Sequence, residues 1–282
     1  MFKKVVKHIV RTIFCVILLL SVVTAGVQLI YYREKENVSV SEFDYIDENK
    51  PVYLTAHRGV TYYAPENSLP AFEKAAQMKY YAAECDIMLT KDNVWVLTHD
   101  DTAFLHFWSF KKVSENNYDS LARLTYKNGV NFCKFENLKI STLEEYLDVL
   151  KNTDTKAQIE IKTEGTAHLD SILSLLEEKK MKDKSMIISF NINQLVEIRK
   201  IDKDIELWYL TEEINEKVLA DYRSLGEKTR LAIKASAIPD EDIINAINCD
   251  VKLSAWTVNK EEDLKRVYEL GINYITTDSF SY

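Results

Sequence analysis

From Pro51 to the carboxyl end, short runs of β-branched and aromatic residues alternate with stretches of helical periodicity, and this alternation restricts the fold more than any other feature. The strand-like runs are Val52–Ala56, Tyr81–Leu89, Val94–Thr98, Gln158–Lys162, Met186–Phe190, Glu206–Leu210, Leu231–Lys234, Lys252–Trp256 and Tyr274–Thr276. Helices fit between most of them, which predicts a parallel sheet. Val94–Thr98 stands outside the repeat, because the Lys91-Asp92-Asn93 turn before it is too short for a crossover helix. The remaining runs predict an α/β fold, a closed (β/α)8 TIM barrel over residues 51–282. The alternative is an open doubly wound sheet, but no Gly-rich phosphate loop follows the first strand. Ser141-Thr142-Leu143-Glu144 has the form of a capping box, and Asn259 with Glu262 resembles it. The helix after Asn259 presents Leu264, Val267 and Leu270 on one face and is expected to end at Gly271. Residues 101–140 have weak periodicity and many aromatic and polar side chains, as expected of an insertion over the mouth of a barrel.

The amino-terminal region follows different rules. Lys3, Lys4, Lys7 and Arg11 are the only charges before residue 33, and Thr12–Tyr32 is an uncharged, mostly apolar run about as long as a bilayer's hydrocarbon core requires. It predicts a single N-terminal transmembrane helix, with the amino end cytoplasmic and the barrel domain extracellular by the positive-inside bias. The alternative is a signal peptide cleaved near Val23-Thr24-Ala25, giving a secreted protein. Residues 33–50 are polar and read as a tether. The formal net charge of −8, despite that basic head, leaves an acidic body and argues against a nucleic-acid partner. Cys85, Cys133 and Cys249 are scattered and odd in number, so neither a disulfide framework nor a zinc site follows.

Barrel enzymes carry their working groups at the carboxyl ends of the strands. Here the first strand runs into His57-Arg58-Gly59, the second carries Glu84-Cys85-Asp86, the third ends in His99-Asp100, and the Gln158 strand ends in Glu160-Ile161-Lys162. Alternate side chains of a strand share a face, so Glu84 and Asp86 point together with Cys85 opposite, and Glu160 pairs likewise with Lys162. Carboxylates gathered without thiolates suit a hard cation, Ca²⁺ or Mg²⁺. Arg58 and Lys162 add positive charge for an anionic substrate, and His57 and His99 are candidates for general acid and base. Singly, each residue is ordinary at a strand end or edge. Together, ionisable groups placed inward on apolar strands are costly to bury without partners or a metal. His8, His106 and His168 lack this placement, although His106, in the insertion, is within a region expected to reach substrate.

In order along the chain, these residues resemble the glycerophosphodiester phosphodiesterase family. The resemblance rests on His57-Arg58-Gly59, Pro65-Glu66-Asn67-Ser68, Glu84-Cys85-Asp86, Thr90-Lys91-Asp92 and His99-Asp100. It continues through Ser141 to Glu145, Glu160-Ile161-Lys162, Ser189-Phe190, Ala255 to Asn259, and Gly271 through Asp278. It implies a (β/α)8 barrel that hydrolyses glycerophosphodiesters, small or lipid-derived, to glycerol 3-phosphate and an alcohol with one divalent cation. It further implies Glu84, Asp86 and Glu160 as metal ligands and His57 and His99 as the acid–base pair. Arg58 and Lys162 would bind phosphate, Glu66 and Asn67 would support the metal or the glycerol end, and Trp256 would wall the pocket. Two departures stand out: Asn93 where glycine is usual, and Asp101 to Trp108 in place of the usual run after His99-Asp100. The alternatives are a phospholipase of the phosphoinositide or sphingomyelin type, which leaves a cyclic phosphate, and a catalytically silent envelope-binding module.

Overall fold

A computed structural model of the protein describes residues 37–47 and 49–282. Its strands are β1 (Val38–Ser39), β2 (Tyr53–Ala56), β3 (Ala82–Leu89), β4 (Trp95–Leu97), β5 (Lys156–Ile161), β6 (Ser185–Ser189), β7 (Glu206–Thr211), β8 (Thr229–Lys234), β9 (Leu253–Trp256), β10 (Tyr274–Thr277) and β11 (Phe280–Ser281). Eight of them form a parallel sheet in the order β2-β10-β9-β8-β7-β6-β5-β3, and pairing of β2 with β3 closes the ring. The short run that stood outside the repeat is β4, which pairs antiparallel with β3 across the expected turn. Asn93 takes φ +65° there, a left-handed conformation that asparagine tolerates.

Helices Leu69–Gln77, Leu143–Leu150, Leu169–Glu178, Ile192–Ile201, Glu216–Ser224, Asp240–Asn248 and Glu261–Glu269 cross over outside the barrel. Each turns an apolar face inward, as with Leu143, Tyr146, Leu147 and Leu150. Inside the ring, Ala82, Met186, Ile188, Trp208, Leu210 and Ala232 form a separate interior core. Gly59 is required where β2 turns into the first crossover: at φ +79°, an added Cβ would stand 2.7 Å from Ala71 Cβ of the adjoining helix.

Several local expectations shift. The capping box is one residue later than expected: Thr142 accepts from the Glu145 N–H, and the Glu145 carboxylate returns to Thr142 N. Consecutive Ser-Thr and Glu-Glu pairs make both registers legible, and the start of the helix selects the second. Asn259 caps no helix; the helix Glu261–Glu269 begins after Lys260, and the Asn259 side chain is used elsewhere. That helix ends as expected before Gly271, at φ +101°.

The expected tether over 33–50 is corrected from residue 37 onward. β1 pairs in parallel with β11, Val40 is buried, and Phe43 packs edge-on against Phe280 at 5.8 Å between ring centres. The apolar residues Val38, Val40, Phe43, Tyr45 and Ile46 explain the docking: together they join the core outside β2. Among the described residues no helix is long and apolar enough to cross a membrane. The expected anchor or signal peptide at 12–32 lies outside the described residues.

The insertion, residues 101–140, folds into a small core of its own around Val96, Ala103, Phe107, Val113, Leu121, Tyr126 and Ile140. It leaves the barrel after His99-Asp100 and returns before the helix Leu143–Leu150, so it stands at the carboxyl end of the strands.

Candidate active site

The His57-Arg58-Gly59 turn bends because Arg58 takes φ +56° and Gly59 φ +79°. The bend turns the Arg58 N–H onto Glu84 Oε2 at 2.7 Å. It leaves the Arg58 side chain between two carboxylates, with Nη1 2.9 Å from Glu66 Oε1 and Nε 3.1 Å from Asp86 Oδ2. Asn67, also left-handed at φ +53°, locks Asp86 twice: its Nδ2 donates to Asp86 Oδ2 at 2.8 Å, and its Oδ1 accepts from Asp86 N at 3.0 Å. Register brings the third acid alongside, since Asp86 of β3 is the direct partner of Glu160 on β5. Glu84, Asp86 and Glu160 offer oxygens that all lie within 4.8 Å of one another, and all three residues are buried. Cys85, on the opposite face, packs in the core between barrel and helices.

Lys162 Nζ reaches Glu160 Oε1 at 2.5 Å and Asp86 Oδ1 at 3.4 Å. Burial works against the ionised form of every carboxylate in the cluster, but the outcomes differ. Asp86 is held below the usual carboxylate range because Arg58 and Lys162 outweigh its burial. Glu84 is pushed up to about 8 by burial and then by the negative charge of Asp86. Burial and Asp86 also raise Glu160. Two basic side chains therefore fail to neutralise three acids. Glu84 Oε1 is moreover buried without a hydrogen bond, and Asp86 Oδ1 has only the long 3.4 Å ion pair to Lys162. An all-oxygen donor set with unsatisfied buried oxygens fits a hard divalent cation.

His57 Nδ1 lies 3.1 Å from Asp278 Oδ1. Burial opposes a charged His57, but the bond to Asp278 and its negative charge prevail and raise the imidazole's pKa. Asp278 is itself clamped: Asn259 Nδ2 donates to Asp278 Oδ2 at 2.8 Å, and Asn259 Oδ1 accepts from Asp278 N at 2.7 Å. His99 Nδ1 lies 2.8 Å from Asp100 Oδ1. With both Nδ1 atoms engaged, Nε2 is the nitrogen each histidine has left for substrate.

A cavity of about 240 Å³ opens over these groups. His57, Arg58, Glu84, His99, Glu160, Lys162 and Trp256 line it, while Asp86 completes the acidic trio without exposed surface. Apolar and aromatic residues line the rest of it, among them Ile188, Trp208 and Leu210, with Phe190 edge-on to Trp256 at 5.4 Å. Glu66 and Asn67 do not line the cavity; they stand behind Arg58 and Asp86 and fix them. His106, expected at most to touch substrate, also sits behind: its Nε2 is 3.1 Å from Glu66 Oε1. Despite burial, His106 and Arg58 together hold the Glu66 carboxyl down at about 2. Sequence reasoning gave no role to Asp278 or to Asn259 beyond a helix cap. The sequence signals were the place of both residues in the family resemblance and the pair Thr277-Asp278 at the end of the last strand, a carboxyl-end position like the others.

A family model described as the glycerophosphoryl diester phosphodiesterase family matches residues 57–281. A curated glycerophosphodiester phosphodiesterase of Caldanaerobacter subterraneus subsp. tengcongensis is 26% identical over 238 residues, covering 80% of this chain and 93% of its own. Among solved structures, an Oleispira antarctica phosphodiesterase in complex with the product sn-glycerol-3-phosphate superposes with a TM-score of 0.74 at 23% identity, covering 80% of this chain and 92% of that one. A glycerophosphodiester phosphodiesterase of Parabacteroides distasonis superposes at 0.68 and 24% identity, covering 81% and 94%. These likenesses extend over the barrel.

Proposed function

The chain belongs to the glycerophosphoryl diester phosphodiesterase family, and from that premise we propose that it hydrolyses glycerophosphodiesters to glycerol 3-phosphate and an alcohol, using one divalent cation and the His57–His99 pair. The observation that carries this reading is the buried Glu84, Asp86 and Glu160 trio opening onto the same cavity as both histidines. Glu84, Asp86 and Glu160 would hold Ca²⁺ or Mg²⁺, whose charge, when bound, offsets the negative charge gathering on the phosphoryl oxygens. Arg58 and Lys162 place their own charges beside the same oxygens. One imidazole takes a proton at Nε2 from the attacking water or from the neighbouring glycerol hydroxyl. As the phosphorus–oxygen bond to the alcohol breaks, the other imidazole gives a proton to the departing oxygen. The aromatic wall of Phe190 and Trp256 limits water around that step. In the same reading, residues 12–32 anchor the protein as a single span, with the amino end cytoplasmic and the barrel extracellular; cleavage and secretion are the alternative.

The test is phosphorus NMR of the products formed from glycerophosphocholine and related diesters by the full chain, with Ca²⁺, Mg²⁺ or a chelator present. Glycerol 3-phosphate is expected with a metal and none with chelator. A cyclic phosphate as the final product instead assigns the chain to the phospholipase reading, and metal-independent turnover removes the role given to the trio.

A further inference from the structure

The insertion, at the same end of the barrel as the cavity, turns a set of large apolar side chains outward. Its short helix Phe104–Phe107 sends Phe107 into the insertion's core and His106 to Glu66, beside the cavity residue Arg58. The other side of this turn faces solvent: Phe104 is 49% exposed, Leu105 40%, Trp108 63% and Phe110 84%, and Phe104 stacks on Phe110 at 4.9 Å. Exposed apolar side chains grouped on one turn are unusual on a soluble surface and mark an interaction site.

Two observations identify what covers them. The first is where the described chain begins. Val38 N donates to the carbonyl of Ser279, the residue after Asp278, so the chain leaves the barrel at the catalytic end. The uncharged apolar run ends at Tyr32, six residues before Val38, a separation of at most about 20 Å when fully extended. A bilayer that takes up that run is therefore within reach of this end of the barrel. The second is charge. The insertion carries six Lys or Arg against four Asp or Glu, in a chain whose overall balance is −8, so this end approaches lipid phosphates without the repulsion the rest of the body meets. Aromatic side chains beside bases suit the headgroup layer.

We propose that Phe104, Leu105, Trp108 and Phe110 dock on the surface of a lipid bilayer, which holds the mouth of the cavity against the membrane. The surface stands on exposure, chain path and charge; it rests on the reading of residues 12–32 as a membrane span and holds whether or not the hydrolytic reading does.

The test reads tryptophan emission from the full chain reconstituted in vesicles of phosphatidylcholine and phosphatidylglycerol, with and without phosphatidylcholine brominated on its acyl chains. The apolar run contains no tryptophan, Trp95 and Trp208 are buried, and the half-buried Trp256 of the cavity wall is present in wild type and variant alike, so the difference between wild type and Trp108→Phe reports the contact of Trp108. Brominated lipid is expected to quench the wild type at least twofold more than Trp108→Phe, and Phe104→Ser with Phe110→Ser is expected to reduce the quenching. Equal quenching in wild type and Trp108→Phe overturns the proposal. So does a Trp108 that is shielded from aqueous iodide yet untouched by brominated lipid, which would indicate a second copy or another protein on the patch. The quenching requires no catalysis, so a chain inactive toward diesters would still show it.

Discussion

At its amino end, the barrel interior is closed by rings together with the Arg230 guanidinium and the Lys156 ammonium, which lies 4.8 Å from the centre of the Tyr81 ring. Tyr53 stacks on Tyr274 at 4.5 Å, Tyr81 meets Tyr53 at 5.1 Å, and the Arg230 guanidinium lies 3.6 Å from the centre of Tyr274 while its Nη1 donates to Leu253 O. The carboxylate there, Glu206, accepts from Trp208 Nε1 at 2.7 Å. At the carboxyl end, only a few residues further along the same strands, three acids crowd within 4.8 Å, and two of their buried oxygens make no hydrogen bond, Asp86 Oδ1 having only its long ion pair to Lys162. Both ends hold charge, but at the first a half-buried guanidinium lies against the Tyr274 and Trp208 rings beside a half-buried carboxylate, whereas at the second fully buried acids are left in excess. Unbalanced buried charge costs stability unless a partner arrives. The amino end is thus built to hold the barrel together and the carboxyl end to hold something else.

That contrast can be broken by substitution. The largest effect is expected of Glu84→Gln, which should lower turnover about 10³-fold while raising the metal-free Tm, because it removes a carboxyl that the fold holds protonated at a cost the unfolded chain does not bear. A lower metal-free Tm would mean that the acids stabilise the fold. Tyr274→Ala at the other end should do the reverse, costing about 3 kcal/mol of unfolding free energy with kcat per folded molecule unchanged. A matching loss of kcat would show that the ends are not separable. Between these roles stands Asp278, which orients His57 without lining the cavity. Asp278→Asn is expected to lower kcat about 10- to 100-fold with little change in KM or Tm; an effect confined to Tm would reduce it to a structural contact. The smallest change is expected at the capping box of the helix Leu143–Leu150, where Thr142→Ala should cost about 1 kcal/mol in a denaturant titration and leave activity intact.

What could be read in the sequence was what depends on local spacing. Alternation along β3 placed Glu84 and Asp86 together with Cys85 opposite, and the brevity of the Lys91-Asp92-Asn93 turn set β4 apart from the repeat. The parts that escaped depend on pairs distant along the chain. His57 and Asp278 are separated by 221 positions and meet because β10 lies beside β2. His106 finds Glu66 only once the insertion has folded back over the rim. The stretch from residue 37 looked like a tether because its apolar residues follow no single period; their partner is β11, at the other end of the chain. Asn259 had the form of a cap, and local pattern carried no sign that its amide would instead face Asp278.

The excess of acid also sets a sign for pH. Glu84, raised from its ordinary 4.5 to about 8, keeps its proton in the folded protein where the unfolded chain has released it. The metal-free fold should therefore lose stability as pH rises across that interval and level off above it. A cation that takes the place of the proton should stabilise more strongly over the same interval. Calorimetric titration of the full chain with Ca²⁺ or Mg²⁺ near pH 7, in buffers of different ionisation enthalpy, measures site, stoichiometry and proton together. One cation per chain, bound with proton release and lost in Glu84→Gln, is the expected result. Binding that survives Glu84→Gln unchanged, or no binding of either ion, would contradict a metal centre built from Glu84, Asp86 and Glu160.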